Sequence, residues 1–215
     1  MGTITAQEII DRAEIILVDV GNDRWEEADL LGWLNMGLRE LVRFIPTALT
    51  VTEAVNLAAG VKQTIPTGRI EFIGATMNMG TDGSTPGAII NFMDFKELGF
   101  VKPSWPTETQ AAITEIVTKK DGDRASYYVS PPSDGTGYIE IICSDTPTEI
   151  AIGQVIPVDD IYEAILMDYV LFRSFSIDQV HPVYKSLALD YFKKFTESVG
   201  AKISTEEASN TASRG

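Results

Sequence analysis

Near the N-terminus, apolar residues recur at helical intervals. Thr5 is followed three residues later by Glu8, the spacing of a capping box, and Ile9, Ile10, Ala13, Ile16, Leu17 and Val20 then fall three and four positions apart. The pattern predicts an amphipathic helix ending near Gly21. Trp25, Ala28, Leu31, Leu34, Leu38, Leu41, Val42 and Ile45 form a second stripe, which stops at Pro46 because proline lacks the N–H that a helix interior requires. These two helices are expected to pack as an antiparallel hairpin. Gly32 and Gly37 inside the second helix each cost about 1 kcal/mol relative to alanine, which predicts that another backbone approaches closely there.

From Thr50 to Ile156 the period shortens. Strands are predicted at 51–56, 61–65, 70–78, 87–92, 111–118, 125–130 and 137–143, separated by turn-forming runs such as Asp82-Gly83-Ser84-Thr85-Pro86-Gly87 and Pro131-Pro132-Ser133-Asp134-Gly135. One or two helical turns over 91–99 interrupt them and lead into the loop Val101-Lys102-Pro103-Ser104-Trp105-Pro106. After Pro157 the helical period returns. Asp159 is expected to cap a third helix carrying Ile161, Ala164, Ile165, Leu171, Phe172 and Phe175 and ending near Gln179. Pro182 suits the first turn of a fourth, in which Tyr184, Leu187, Ala188, Tyr191, Phe195 and Val199 form a stripe that ends at Gly200. The remainder, 201–215, offers almost nothing to bury and is expected to be disordered unless a partner holds it.

The expected fold is therefore α+β: a four-helix bundle formed by the N- and C-terminal helix pairs, with an antiparallel β-subregion, sandwich or barrel-like, inserted between them. The expected boundaries are 1–48 for the first helical pair, 49–156 for the β-subregion, 157–200 for the second pair and 201–215 for the polar tail.

Composition narrows the functional classes. The 215 residues are 44% hydrophobic and 22% charged, close to an ordinary globular protein, so a sizeable core can form. Against 31 Asp and Glu stand 17 Lys and Arg, a formal charge of -14 that repels phosphate backbones and disfavours nucleic-acid binding. A wall that DNA slides past without adhering tolerates the same field. No apolar run is long enough to span a membrane and no cationic leader precedes one, which predicts a soluble, untargeted chain.

Candidate chemistry is sparse. Cys143 is the only cysteine and lies in an apolar strand, so no intrachain disulfide or cysteine metal cluster is available, and no basic neighbour in sequence activates the thiol. His181, the only histidine, sits at a helix junction before Pro182. Glycine-rich phosphate cradles are absent. The carboxylate pairs Asp121/Asp123, Asp159/Asp160 and Glu26/Glu27 suit a hairpin turn and helix N-termini better than acid–base catalysis or a cation site. Neither a catalytic residue, a cofactor nor a metal is assigned. Trp105, flanked by Ser104 and Pro106, is the one aromatic whose exposure is expected, as an anchor for a partner.

Three stretches carry a resemblance: Arg24-Trp25-Glu26-Glu27-Ala28-Asp29-Leu30-Leu31-Gly32-Trp33-Leu34-Asn35, then Tyr127-Tyr128-Val129-Ser130-Pro131-Pro132, then the helix from Val158 to Arg173 that carries Asp168. In this order they resemble a family of tailed-bacteriophage head-to-tail adaptors, similar in architecture to podovirus tail tubular adaptors, over about residues 5–200. The resemblance implies a structural virion protein rather than an enzyme: a ring, usually twelvefold, in the neck between portal and tail, with genomic DNA passing through its lumen. It implies the portal, a tail tube or nozzle protein and further copies of the chain as partners. It also implies that the polar tail, with Ser204, Thr205, Ser209 and Arg214, docks on the portal. Alternatives are another neck, tail-completion or tube protein, a small carbohydrate-binding module acting through Trp105, or a carboxylate hydrolase.

Overall fold

A computed structural model describes residues 2–118, 123–177 and 182–212. The described residues form an α+β fold of five α-helices and two β-sheets, neither of which closes into a barrel. The chain divides into two compact units, one of residues 1–49 with 147–215 and the other of residues 50–146. Residues 147–156, expected with the strands, thus belong to the helical unit.

In the helical unit, α1 (Ala6–Leu17) begins at the anticipated capping box: the Thr5 hydroxyl accepts from the Glu8 N–H, and the Glu8 carboxylate accepts from the Thr5 N–H at 2.7 Å. It ends one turn before Gly21. Val18 takes the left-handed conformation at φ 56°, which costs a β-branched residue about 1–2 kcal/mol, and it is almost fully exposed. Helix α2 (Glu27–Phe44) buries Leu30, Leu34, Leu38, Leu41 and Val42 at helical spacing. At Gly37 an added Cβ would lie 3.0 Å from the Tyr169 ring, so the close neighbour there is an aromatic side chain rather than the expected backbone; Gly32 has nothing within 4 Å.

Helix α4 (Glu163–Ile177) is apolar around almost its whole circumference because it packs against α1, α2 and α5 (Pro182–Ala212) at once. Ile165, Leu166, Tyr169, Val170 and Phe175 join residues of the other three helices in one core. Helix α5 does not stop at Gly200. That glycine is exposed with nothing within 4 Å, so it is a tolerated interior residue rather than a turn; beyond it Lys202 lies over the Tyr162 ring and Ile203 packs on the core, carrying the helix to Ala212.

The second unit holds β1 (Thr50–Asn56), β2 (Gly60–Thr64), β3 (Arg69–Asn78), β4 (Asn91–Asp94), α3 (Phe95–Val101), β5 (Glu115–Thr118), β6 (Ser126–Ser133) and β7 (Tyr138–Asp145). One sheet has the order β1-β7-β3 and the other β2-β6-β5-β4. Phe72, Ile139, Ile141 and Cys143 from the first share a core with Ile116, Tyr127 and Val129 from the second, and Phe72 stacks on Tyr127 at 4.2 Å between ring centroids. The strands are not all antiparallel as expected. β4 and β5 run parallel, which α3 and the loop after it permit by supplying the long crossover that parallel neighbours require. Alternation of side chains fixes which face is buried but not the direction of the neighbouring strand.

Candidate interaction surface

The turn between α1 and α2 is built around Asp19, whose carboxylate accepts from the backbone N–H of Arg24 and of Trp25 at 3.0–3.1 Å. That closure presents Trp25 to the core, where its indole N–H donates to the Ser174 carbonyl at 3.1 Å and its ring meets Phe175 edge-on. Arg24 lies over the rings of both Trp25 and Tyr184 and donates to the Tyr184 hydroxyl. The turn is thereby locked to α4 and α5 from within. Its outer surface is apolar: Ile15, Val18 and Val20 are 66%, 89% and 77% exposed.

A groove of about 170 Å³ runs between α4 and α5, lined by Phe172, Phe175, Ala188, Leu189 and Phe192 with Lys185 at its rim. Leu189 and Phe192 are exposed along it, and Phe192 also touches Phe172 at 4.9 Å between centroids. In the β unit, Phe100 and Val101 at the end of α3 are exposed, Phe100 at 89%, as are Ile89, Phe92 and Ile70 elsewhere.

Trp105 does not take the surface position expected of it. It opens a short 3-10 turn, its N–H donating to the Lys102 carbonyl, and the turn folds the ring back onto Leu98 and Val117 and edge-on to Phe95, leaving it 8% exposed. Proline-flanked turns fix the backbone but leave the ring free to cover its own strands. The aromatic that faces outward nearby is Phe100, which the sequence reading passed over; its place at the end of a one- to two-turn helix, with no further turn to bury it, was the available signal. Ser204 and Thr205 are exposed on α5, and their hydroxyls donate to the carbonyls of Gly200 and Ala201. The Ser209 side chain, Arg214, Asp121 and His181 lie outside the described residues.

The carboxylate pairs have structural partners. Asp159 accepts from the Ile161 N–H as a helix cap, and Asp160 accepts from the Thr3 hydroxyl and from the N–H groups of Thr3 and Ile4, hydrogen bonds that hold its carboxyl below the usual carboxylate range. Gly2 is required beside it, since an added Cβ would fall 2.4 Å from the Val158 carbonyl oxygen. Glu26 precedes α2 without a side-chain cap, Glu27 accepts from Gln7, and Asp123 accepts from the Ala125 N–H. Burial, reinforced by the Glu53 charge, pushes the Cys143 thiol up to about 11, the opposite of what a nucleophile needs. Among the described residues no three His, Cys, Asp or Glu converge as a metal site, and no helix is long and apolar enough to cross a membrane.

Residues 4–215 match the family model described as SU10 adaptor protein. No curated protein matches the chain.

Proposed function

The chain belongs to the SU10 adaptor protein family, a family of phage adaptors whose role is structural, and on that premise we propose that it joins portal to tail as one subunit of a ring, twelvefold, in the neck of a tailed-phage virion. The observation that carries this reading is the extent of the match, which runs through both units and the crossings between them rather than over a single motif. In this reading α1, α2, α4 and α5 act as a bundle that meets the portal, the β unit meets the tail, and the genome passes through the lumen. The exposed apolar residues at the α1–α2 turn and along α4 and α5 suit surfaces meant to be covered by protein. The acidic balance suits a passage that DNA traverses without binding, since affinity for DNA comes largely from cations that displace its counterions.

The residues after Ile203, including Ser204, Thr205, Ser209 and Arg214, form the portal-docking end. Electron microscopy of the chain mixed with portal rings of the same phage is expected to show added ring-shaped density on one end of the portal. A chain truncated after Ile203 keeps the residue that packs on the core, so it should fold normally and lose that density. Folded full-length protein that leaves portal rings bare would instead assign the chain to the tail, as a completion or tube component.

A further inference from the structure

Two exposed surfaces of the helical unit are complementary in charge and in apolar character. The first is the α1–α2 turn. Between the two helices the chain carries three acidic residues, Asp19, Asp23 and Glu26, against one arginine, Arg24, which is engaged within the unit over Trp25 and Tyr184. Out of this acidic surround project Ile15, Val18 and Val20. Val18 is the most informative of them. A left-handed helix terminus favours glycine or asparagine, and an exposed valine there contributes nothing to the core to offset its strain.

The second surface is the groove between α4 and α5. Its volume of about 170 Å³ is comparable to the roughly 150 Å³ that accommodates a benzene-sized apolar group, so a branched aliphatic side chain fits. The one charged side chain that lines it, Lys185 at the rim, is of opposite sign to the turn; further along α5, Asp190 is exposed and Lys193 lies 3.7 Å from Glu197.

We propose that the α1–α2 turn of one copy seats Val18 and Val20 in the α4–α5 groove of the next copy, its acidic surround facing Lys185. This rests on the ring reading above and names the subunit contact that the ring would use. Because turn and groove are different surfaces, the contact is heterologous: each copy offers one of each, so copies add head to tail and close when the rotation per step allows.

The test uses two variants of the full chain, one blocked at the turn (Val18→Asp with Val20→Asp) and one blocked in the groove (Leu189→Glu with Phe192→Glu). All four positions are exposed, so circular dichroism should report the wild-type fold for both. In sedimentation velocity, the wild-type chain is expected to gain mass with concentration, and each variant alone to remain a monomer, its association weakened at least about tenfold. An equimolar mixture should form dimers and nothing larger, because only one intact turn and one intact groove remain per pair. Self-association of either variant at the wild-type level overturns the contact, as does a mixture that stays monomeric. Wild-type protein that decorates portal rings yet never gains mass alone leaves the adaptor role standing and overturns this contact. Association through these surfaces without portal binding does the reverse.

Discussion

In the β unit, ion pairs join separate elements: Arg69 spans Glu53 at 2.7 Å and Asp145 at 2.6 Å, tying three adjacent strands together, and Lys102 reaches the largely buried Glu115 at 2.7 Å. Its turns close on their own carboxylates, with Asp82 accepting from the N–H and hydroxyl groups of Ser84 and Thr85 and held far below the usual range by them. The helical unit relies on one apolar core centred on α4 and leaves aliphatic side chains and unbalanced acidity on its outside. The β unit secures its strands and turns with such polar pairs, and its exposed apolar side chains, Phe100 and Ile89 among them, stand apart from them. The helical unit instead exposes a valine, Val18, in a strained conformation.

Three measurements would break or sharpen this contrast. The largest effect is expected from Leu166→Ala, which empties a fully buried position in α4 and should cost about 2–5 kcal/mol. Native-state hydrogen exchange should place the loss in helical-unit amides; equal loss in β7 would mean that the two units unfold as one. Next, Arg69→Met leaves Glu53 and Asp145 without their common partner. Because these groups are partly exposed, the expected cost is about 1–3 kcal/mol, read from urea unfolding followed through the β unit.

The smallest effect concerns pH. Burial alone would raise the Glu115 carboxyl, but the Lys102 ammonium and the Thr114 hydroxyl outweigh it and hold it below its ordinary value. A carboxylate depressed in the folded state contributes stability above its unfolded pKa and loses it as pH falls through the folded one. The β unit should therefore weaken below about pH 4, by up to about 1 kcal/mol. In Lys102→Met that slope should flatten; an unchanged acid profile would show that other carboxylates govern it.

Much of the secondary structure was legible because it depends on local periodicity and turn chemistry. The capping box at Thr5, the Asp159 cap, the proline start of α5 and the approximate place of every strand but β4, which takes the start of the stretch 91–99 expected as helical turns, follow from residues close in sequence. Much of what escaped depended on distant partners. The end of α1 is local but uses no glycine, since Val18 turns left-handed while the Val18 and Asp19 N–H groups donate back to the Ile15 and Glu14 carbonyls; the continuation of α5 depends on Tyr162 and the core, and the parallel pairing of β4 with β5 depends on where a crossover lands. The interaction surfaces were the least legible part. Periodicity identifies Ile16 and Val20 as apolar but cannot tell a core position from one reserved for another molecule, and a tryptophan between polar and proline neighbours reads as exposed when its ring is buried.

Thr50, where the chain leaves the helical unit, is the strand partner of Ser144, just before the chain returns to it. Paired residues of antiparallel strands lie only about 4.5–5.5 Å apart, so the chain enters and leaves the β unit at neighbouring points. It is in effect a cassette: any domain with adjacent ends could be spliced in at that seam without stretching the helical unit, and a nascent chain can finish the insert while α4 and α5 are still being made. The β unit could thus be exchanged, in evolution or at the bench, while the helical fold stays as it is.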